Sequence, residues 1–248
     1  VHRSFHEFIL NTPAMKLLGI SRNAFPGLEE EKHLANFEEG HFSERGAIVV
    51  LPNLMTVLAA PKKLMLGLQK TKEYIHGNGI TIIGNPGSMY SREIQMAKNY
   101  ILGSLDTPFE SYFFPSGLNL SEQFELNKIL NAAKEQTSWG EGKVNFLPNH
   151  IKLFTDGAMY SQNMMMREGY LDNHQGTWLM DNKNYRELFK LFWDANYQIH
   201  IHQNGDAALD RLLNNLEENL INNPRKDHRT TVVHFGYSAK DQLQRMKD

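Results

Sequence analysis

The chain has 248 residues, a formal net charge of −2 at pH 7 and no cysteine. The absence of cysteine excludes disulfides, thiolate metal sites and a cysteine nucleophile within this sequence. Neither half carries a strong basic excess, which argues against nucleic acid as a partner. No apolar run reaches the roughly 18–20 residues that cross a bilayer, which argues against a membrane partner.

The start of the chain shows no signal peptide, and a cytoplasmic location is favoured. The first residue is Val1 rather than methionine, so we expect the sequence to be part of a longer gene product. A hydrophobic share of 41% over this length is enough to bury a substantial core.

Helices and short apolar strands alternate from residue 62 onwards. In chain order the pattern predicts a helix at 62–77, a strand at 80–83, a helix at 89–102, a strand at 111–114, a helix at 121–135, a strand at 151–154, a helix at 183–195, a strand at 199–202, a helix at 207–222 and a strand at 230–234. Ser121 is predicted to cap the helix at 121–135, and residues 84–87 are predicted to end the first strand. This alternation indicates a parallel α/β sheet, in which chemistry sits at the carboxyl ends of the strands.

The first 60 residues fit the alternation poorly. Residues 20–60 contain Pro26, Gly27, an acidic run at 29–31 and Gly46. We interpret them as a lid or insertion within one barrel domain that covers residues 1–248. Five strand–helix units are visible where a closed barrel needs eight, so the sequence predicts an incomplete barrel.

Polar side chains lie along the predicted strands. His200 and His202 are two residues apart and share one face of their strand, and His234 closes the next strand. An inward-facing histidine can ligate zinc, although a buried ring satisfied by one hydrogen bond is the commoner arrangement for a single histidine. Two histidines that end neighbouring strands would converge, which favours a metal site. Lys152 lies one strand earlier. A buried lysine is costly unless it is paired or modified, and the alternative is a lysine that reaches solvent at the strand's edge.

Four segments of the chain carry short sequence motifs. They read Ile-Lys-Leu-Phe-Thr-Asp-Gly-Ala at 151–158, His-Gln-Asn-Gly-Asp-Ala-Ala at 202–208, Arg-Thr-Thr-Val-Val-His at 229–234, and His-Glu-Phe-Ile-Leu-Asn-Thr-Pro-Ala-Met at 6–15 followed by Leu-Gly-Ile at 18–20. Together they resemble the metal-dependent amidohydrolase-3 group, which includes the YtcJ-like amidohydrolases and N-substituted formamide deformylases.

This resemblance implies a (β/α)8 TIM-type barrel, of which the chain covers roughly strands 2 to 6. It implies a divalent metal centre, zinc before other metals and with one or two ions, that activates water to hydrolyse a small-molecule amide or another C–N bond. His202 and His234 would be metal ligands, and Lys152 would be a carboxylated lysine between two metals. Asp156 and His6 are candidates for the substrate pocket.

The sequence also departs from the family pattern. No His-x-His pair precedes residue 80, and the aspartate expected on the eighth strand is absent from this chain. The alternative interpretation is therefore a non-catalytic barrel fragment or relative that binds a small molecule or a partner subunit. Because an incomplete barrel exposes strand edges, we expect such a chain to form a homo-oligomer or to associate with missing segments.

Overall fold

The computed structural model describes residue 2, residues 6–26, residue 28 and residues 34–247. The strands are Glu7–Ile9 (β1), Ala35–Asn36 (β2), His41–Ser43 (β3), Ile82–Ser88 (β4), Glu110–Pro115 (β5), Val144–Phe146 (β6), His150–Phe154 (β7), Gln198–Gln203 (β8) and Thr231–His234 (β9). The helices are Thr12–Leu17 (α1), Arg45–Leu58 (α2), Pro61–Gly77 (α3), Arg92–Leu102 (α4), Gly117–Gln123 (α5), Leu126–Gln136 (α6), Asn182–Asp194 (α7), Asp206–Asn222 (α8) and Lys240–Lys247 (α9).

The second part of the chain is a mixed α/β fold with parallel sheets. One sheet has the order β4-β5-β6 and a second has the order β7-β8-β9, with parallel pairing throughout. An isolated parallel bridge between Ser116 and Lys152 joins the two. The predicted strand–helix alternation is confirmed, whereas a closed barrel is not observed over the residues that the structure describes.

The first part of the chain contains a small antiparallel sheet. Its order is β1-β3-β2, and Phe8 lies opposite Phe42 across the β1–β3 pair. Both rings are buried in a separate apolar cluster that includes Val50 and Leu54 of α2. This sheet lies within and beside the segment that we interpreted as a lid or insertion, an assignment that stays a prediction. Residues 27 and 29–33 of that segment lie outside the described residues.

The main core lies between the β7-β8-β9 sheet and the helices packed on it. Ile151, Leu153, Ile199 and Ile201 are fully buried there against residues of α6, α7 and α8. Each such aliphatic side chain stabilises the fold by roughly 1.5–3 kcal/mol through burial. Because side chains alternate along a strand, the intervening residues of β7 and β8 lie on the opposite face of the sheet. That face carries the polar residues of the candidate site.

Sequence predictions about individual elements are wrong in two regions, and one further strand was not predicted. The predicted helix at 121–135 is two helices, because Phe124 is extended (φ −132°, ψ 145°) and separates α5 from α6; Ser121 lies inside α5, and Glu125 occupies the N-cap position of α6 without a side-chain hydrogen bond. Residues 84–87 do not end the first strand. They belong to β4, which lies at the edge of its sheet, where proline is tolerated. The short strand β6 was not predicted at all.

Among the described residues, no single helix is both long and apolar enough to cross a membrane. The pair α2 and α3 passes such a test only when taken together, and the two helices are bent by 97° at the break between them.

Candidate functional site

Three histidines from distant parts of the chain lie together in the structure. The ring centroid of His202, on β8, is 4.6 Å from that of His234 at the end of β9. It is 5.5 Å from that of His6, which precedes β1. We call His6, His202 and His234 the histidine cluster. The predicted convergence of His202 and His234 is therefore observed, and His6 joins them.

The backbone at the end of β9 explains how His234 reaches the cluster. In the strand register, His234 pairs with Gln203 rather than with His202. Simple alternation would therefore place His234 and His202 on opposite faces. His234 has a φ of 74°, and Phe235 also has a positive φ, so the chain turns sharply at this point. The ring of His234 stands edge-on to His202, at an interplanar angle of 76°.

Burial keeps the two strand-end histidines neutral. His202 is 2% exposed, and burial lowers its pKa well below the usual value, helped by the charges of Lys152, His234 and His6. Burial likewise lowers the pKa of His234, with contributions from Lys152 and His6. The amide of Asn204 donates to Nε2 of His202 at 2.9 Å. Neutral imidazole is the form that ligates metals.

Lys152 is a buried amine without an acidic partner among the described residues. It is 3% exposed, and burial lowers its pKa to about 7. Its Nζ lies 5.3 Å from the ring centroid of Phe154. Gly87 of β4 approaches so closely that a Cβ there would lie 3.3 Å from Cγ of Lys152. Lys152 pairs with His200 in the β7–β8 register and therefore lies on the same face of the sheet as His202, on the neighbouring strand.

His200 lies in a different environment from His202, although both were predicted on one face of the strand. Its ring packs against Phe114 at 4.5 Å and against His150 at 5.4 Å between centroids. Burial lowers its pKa to about 4, with contributions from His150 and Lys152. We therefore leave His200 out of the histidine cluster.

Asp156 accepts hydrogen bonds from the loops that follow β7 and β8. Its carboxylate is inaccessible and accepts four hydrogen bonds, from the hydroxyl of Thr155 (2.9 Å, a proton shared with the backbone carbonyl of His202) and the backbone amides of Met165 (2.9 Å), Asn204 (3.0 Å) and Gly205 (2.8 Å). The last two follow β8, so Asp156 fixes the backbone directly after His202. Its contact with a substrate stays a prediction.

Sequence reasoning missed one acidic residue, Glu44, between β3 and α2. Oε2 of Glu44 lies 2.7 Å from Nδ1 of His6, and Oε1 accepts from the backbone amide of Ala158 at 2.7 Å and from the hydroxyl of Ser161. Glu44 is 1% exposed and has φ 46° and ψ −117°. A backbone of this kind is sparsely populated and costs about 1–3 kcal/mol. The local signal for Glu44 is its position directly after a short strand, and the interpretation of residues 20–60 as a lid or insertion passes over it.

The donors present fit a divalent metal in part. Among the described residues, no group of three or more histidine, aspartate, glutamate or cysteine side chains is arranged to hold a metal ion. What the site offers is a pair of adjacent neutral imidazoles, His202 and His234, with the near-neutral amine of Lys152 beside them. Imidazole suits zinc and its neighbours among the transition metals.

A separate cavity of about 640 Å³ opens among α2, α3, α4 and α5. Its lining is mostly apolar, with the carboxyl groups of Glu93 and Glu122 among it, and burial raises the pKa of Glu122. None of the predicted site residues lines this cavity. The cavity and the histidine cluster are therefore distinct features.

Comparisons with known proteins agree with the fold. The family model described as the amidohydrolase family matches residues 1–248. An uncharacterised metal-dependent hydrolase from Pyrococcus horikoshii OT3 is similar in structure, with a TM-score of 0.65, 15% sequence identity, and coverage of 98% of this chain and 45% of that one. Another from Pyrococcus furiosus gives a TM-score of 0.62, 20% identity, and coverage of 99% and 47%. The chain thus spans about half the length of these solved proteins, and no curated protein matches it.

Proposed function

The chain belongs to the amidohydrolase family, and on that premise we propose that it is part of a metal-dependent hydrolase of amide or other C–N bonds. The observation that carries the proposal is the close approach of His202 and His234, with Lys152 on the same face of the neighbouring strand. All three come from consecutive parallel strands; His234 ends β9, and His202 is the penultimate residue of β8. The carboxyl ends of parallel strands are where barrel enzymes place their chemistry.

His202 and His234 would hold the metal, with Lys152 beside them. A divalent cation bound there, which we propose to be zinc, would supply an activated water and polarise the carbonyl of the substrate. The protein contributes two rings that burial keeps unprotonated, so few protons need to be displaced on binding. Because Asn204 donates to Nε2 of His202, its amide competes with a cation for that nitrogen.

Lys152 has the chemistry that carboxylation requires. An unprotonated amine adds to carbon dioxide to form a carbamate and releases one proton. With a pKa of about 7, a substantial fraction of Lys152 is unprotonated at neutral pH, whereas an ordinary lysine is almost fully charged. We propose that the resulting anion would complete the neutral donor set of His202 and His234.

The substrate is proposed to be a small-molecule amide. His6 comes from the N-terminal part of the chain. Its side chain is 24% exposed, so a small molecule can reach it. We assign it a contact with the substrate. Asp156 would act through the backbone that follows β8, since its oxygens are already engaged with protein donors.

The proposal is tested by hydrolysis of a panel of N-formyl and N-acyl amines, followed by release of the free amine. We expect activity in the presence of zinc that is lost with a chelator and in His202→Ala. His76→Ala is the matched control, because His76 is an exposed histidine in the last turn of α3 and does not belong to the histidine cluster. Equal rates for the native chain and His202→Ala would contradict the assignment.

The alternative function, a non-catalytic module that binds a small molecule or a partner, has one specific observation in its favour. The described residues hold no complete group of metal-binding carboxylate and imidazole side chains. Absence of zinc-dependent activity together with retained amide binding would select this alternative.

A further inference from the structure

We propose that Glu44 is a positioning residue that fixes the tautomer and orientation of His6 against His202. The effect of Glu44 on hydrolysis rests on the function proposed above, whereas its effect on the His6 ring does not. The arrangement joins three segments: the start of α2, the residue before β1 and the loop that follows β7.

The hydrogen bonds of Glu44 determine which nitrogen of His6 carries the proton. Oε1 of Glu44 already accepts two hydrogen bonds, and we infer that Oε2, 2.7 Å from Nδ1 of His6, accepts the proton carried by Nδ1. In this tautomer Nε2 is the unprotonated nitrogen of the His6 ring. Nδ1 partners of this type decide which histidine nitrogen is available for chemistry.

The other oxygen of Glu44 anchors the same carboxylate to the loop after β7. Oε1 accepts from the backbone amide of Ala158 at 2.7 Å and from the hydroxyl of Ser161. A Cβ on Gly157 would lie 2.9 Å from Cδ of Glu44, so this close approach requires glycine. Glu44 is therefore held on both sides, and the His6 ring is held through it at 5.5 Å from His202.

The backbone of Glu44 gives a second, independent reason to single it out. Its φ of 46° and ψ of −117° lie in a sparsely populated region for a residue with a side chain. Strained conformations of this kind persist where surrounding contacts impose them, and they concentrate at functional sites. Here the imposed conformation is the one that directs a buried carboxylate at a histidine of the cluster.

A purely structural clamp would make the same contacts, so the test must report on the His6 tautomer. Glu44→Gln has nearly the same shape. Its remaining oxygen can accept from Ala158 and Ser161, while its amide donates towards Nδ1 of His6. His6 must then accept at Nδ1, and the proton moves to Nε2. A comparable carboxylate-to-amide change beside a catalytic histidine lowers kcat about 10⁴-fold through the wrong tautomer.

The experiment is nitrogen NMR of the metal-free full-length chain with labelled histidine, at a pH above the ordinary histidine pKa. The His6 signals are assigned from their loss in His6→Asn. We expect a protonated Nδ1 and an unprotonated Nε2 in the native chain, with the two exchanged in Glu44→Gln. Ser161→Ala, which removes a contact to Oε1 but leaves His6 and Oε2 alone, is the control and should keep the native tautomer.

A native His6 protonated at Nε2 would overturn the proposal, as would an unchanged tautomer in folded Glu44→Gln. If Glu44→Gln does not fold, the native spectrum and the Ser161→Ala spectrum still decide the tautomer. Where the native chain hydrolyses an amide, Glu44→Gln should lose at least about tenfold in kcat. If the native chain shows no hydrolysis, the proposed function fails while the NMR result still judges Glu44.

Discussion

Asp156→Asn tests whether Asp156 serves the fold or only a substrate. Oδ1 accepts from the Thr155 hydroxyl and the Asn204 amide, and Oδ2 accepts from the Met165 and Gly205 amides. If the new NH2 group takes the place of Oδ2, the backbone N–H groups of Met165 and Gly205 lose their acceptor. If it takes the place of Oδ1, only the N–H of Asn204 loses its acceptor, because the Thr155 hydroxyl can reorient.

The less costly orientation sets the expected magnitude. One buried N–H left without an acceptor costs about 1–3 kcal/mol, and this is the predicted loss in the free energy of unfolding. Burial raises the pKa of Asp156, so removal of the carboxyl group's ionisation offsets part of the loss and favours the lower end of that range. Even so, the change is a considerable share of the roughly 5–15 kcal/mol that stabilises a typical domain.

Urea unfolding followed by tryptophan fluorescence measures this loss. The matched control is Asp227→Asn, since Asp227 pairs with Arg229 at an exposed position and should change stability by no more than about 0.5 kcal/mol. If Asp156→Asn unfolds at the same urea concentration as the control, the four hydrogen bonds do not stabilise the fold as described. Asp156 would then be available for the substrate contact predicted from the sequence.

Two further changes test the packing around the site and the burial of a lysine. Gly157→Ala should lower the free energy of unfolding by about 1–3 kcal/mol, because its Cβ would lie 2.7 Å from the Asn163 carbonyl oxygen. The control is Gly67→Ala, which has open space around it and should be neutral or stabilising. Equal urea midpoints for the two variants would argue against the close approach at Gly157. Burial lowers the pKa of Lys98, so the native chain should gain stability as the pH rises towards the ordinary value of 10.5, where the unfolded chain also loses its proton. Lys98→Met should lack that rise, and parallel pH profiles of the two proteins would show that the pKa of Lys98 is not lowered in the folded chain.

The parallel part of the fold follows from local sequence patterns. Each strand of β5, β7, β8 and β9 is a short apolar run flanked by helices with clear apolar faces, and those elements lie within a few residues of their predicted positions. The site residues His202 and His234 could be predicted for the same reason, since each lies at or next to the end of a strand. The break between α5 and α6 could not, because no proline or glycine marks Phe124.

The N-terminal half of the site depends on contacts between distant segments. Glu44 is 38 residues from His6 and 114 residues from Ala158, so no local pattern connects them. The edge position of β4 and its register shift between Pro86 and Ser88 likewise depend on the whole sheet, and both allow the strand to contain Pro86 and Gly87. A single sequence shows local periodicity, whereas these features depend on which segments meet.

The central claim is that His202 and His234, with Lys152, bind a divalent metal. The most direct test is the metal content per chain by elemental analysis, measured after incubation with zinc and removal of unbound metal. We predict about one zinc or more per native chain, loss of that zinc in His202→Ala, and its retention in the His76→Ala control. A native chain without zinc, or one that keeps the same zinc content after His202→Ala, would contradict the account.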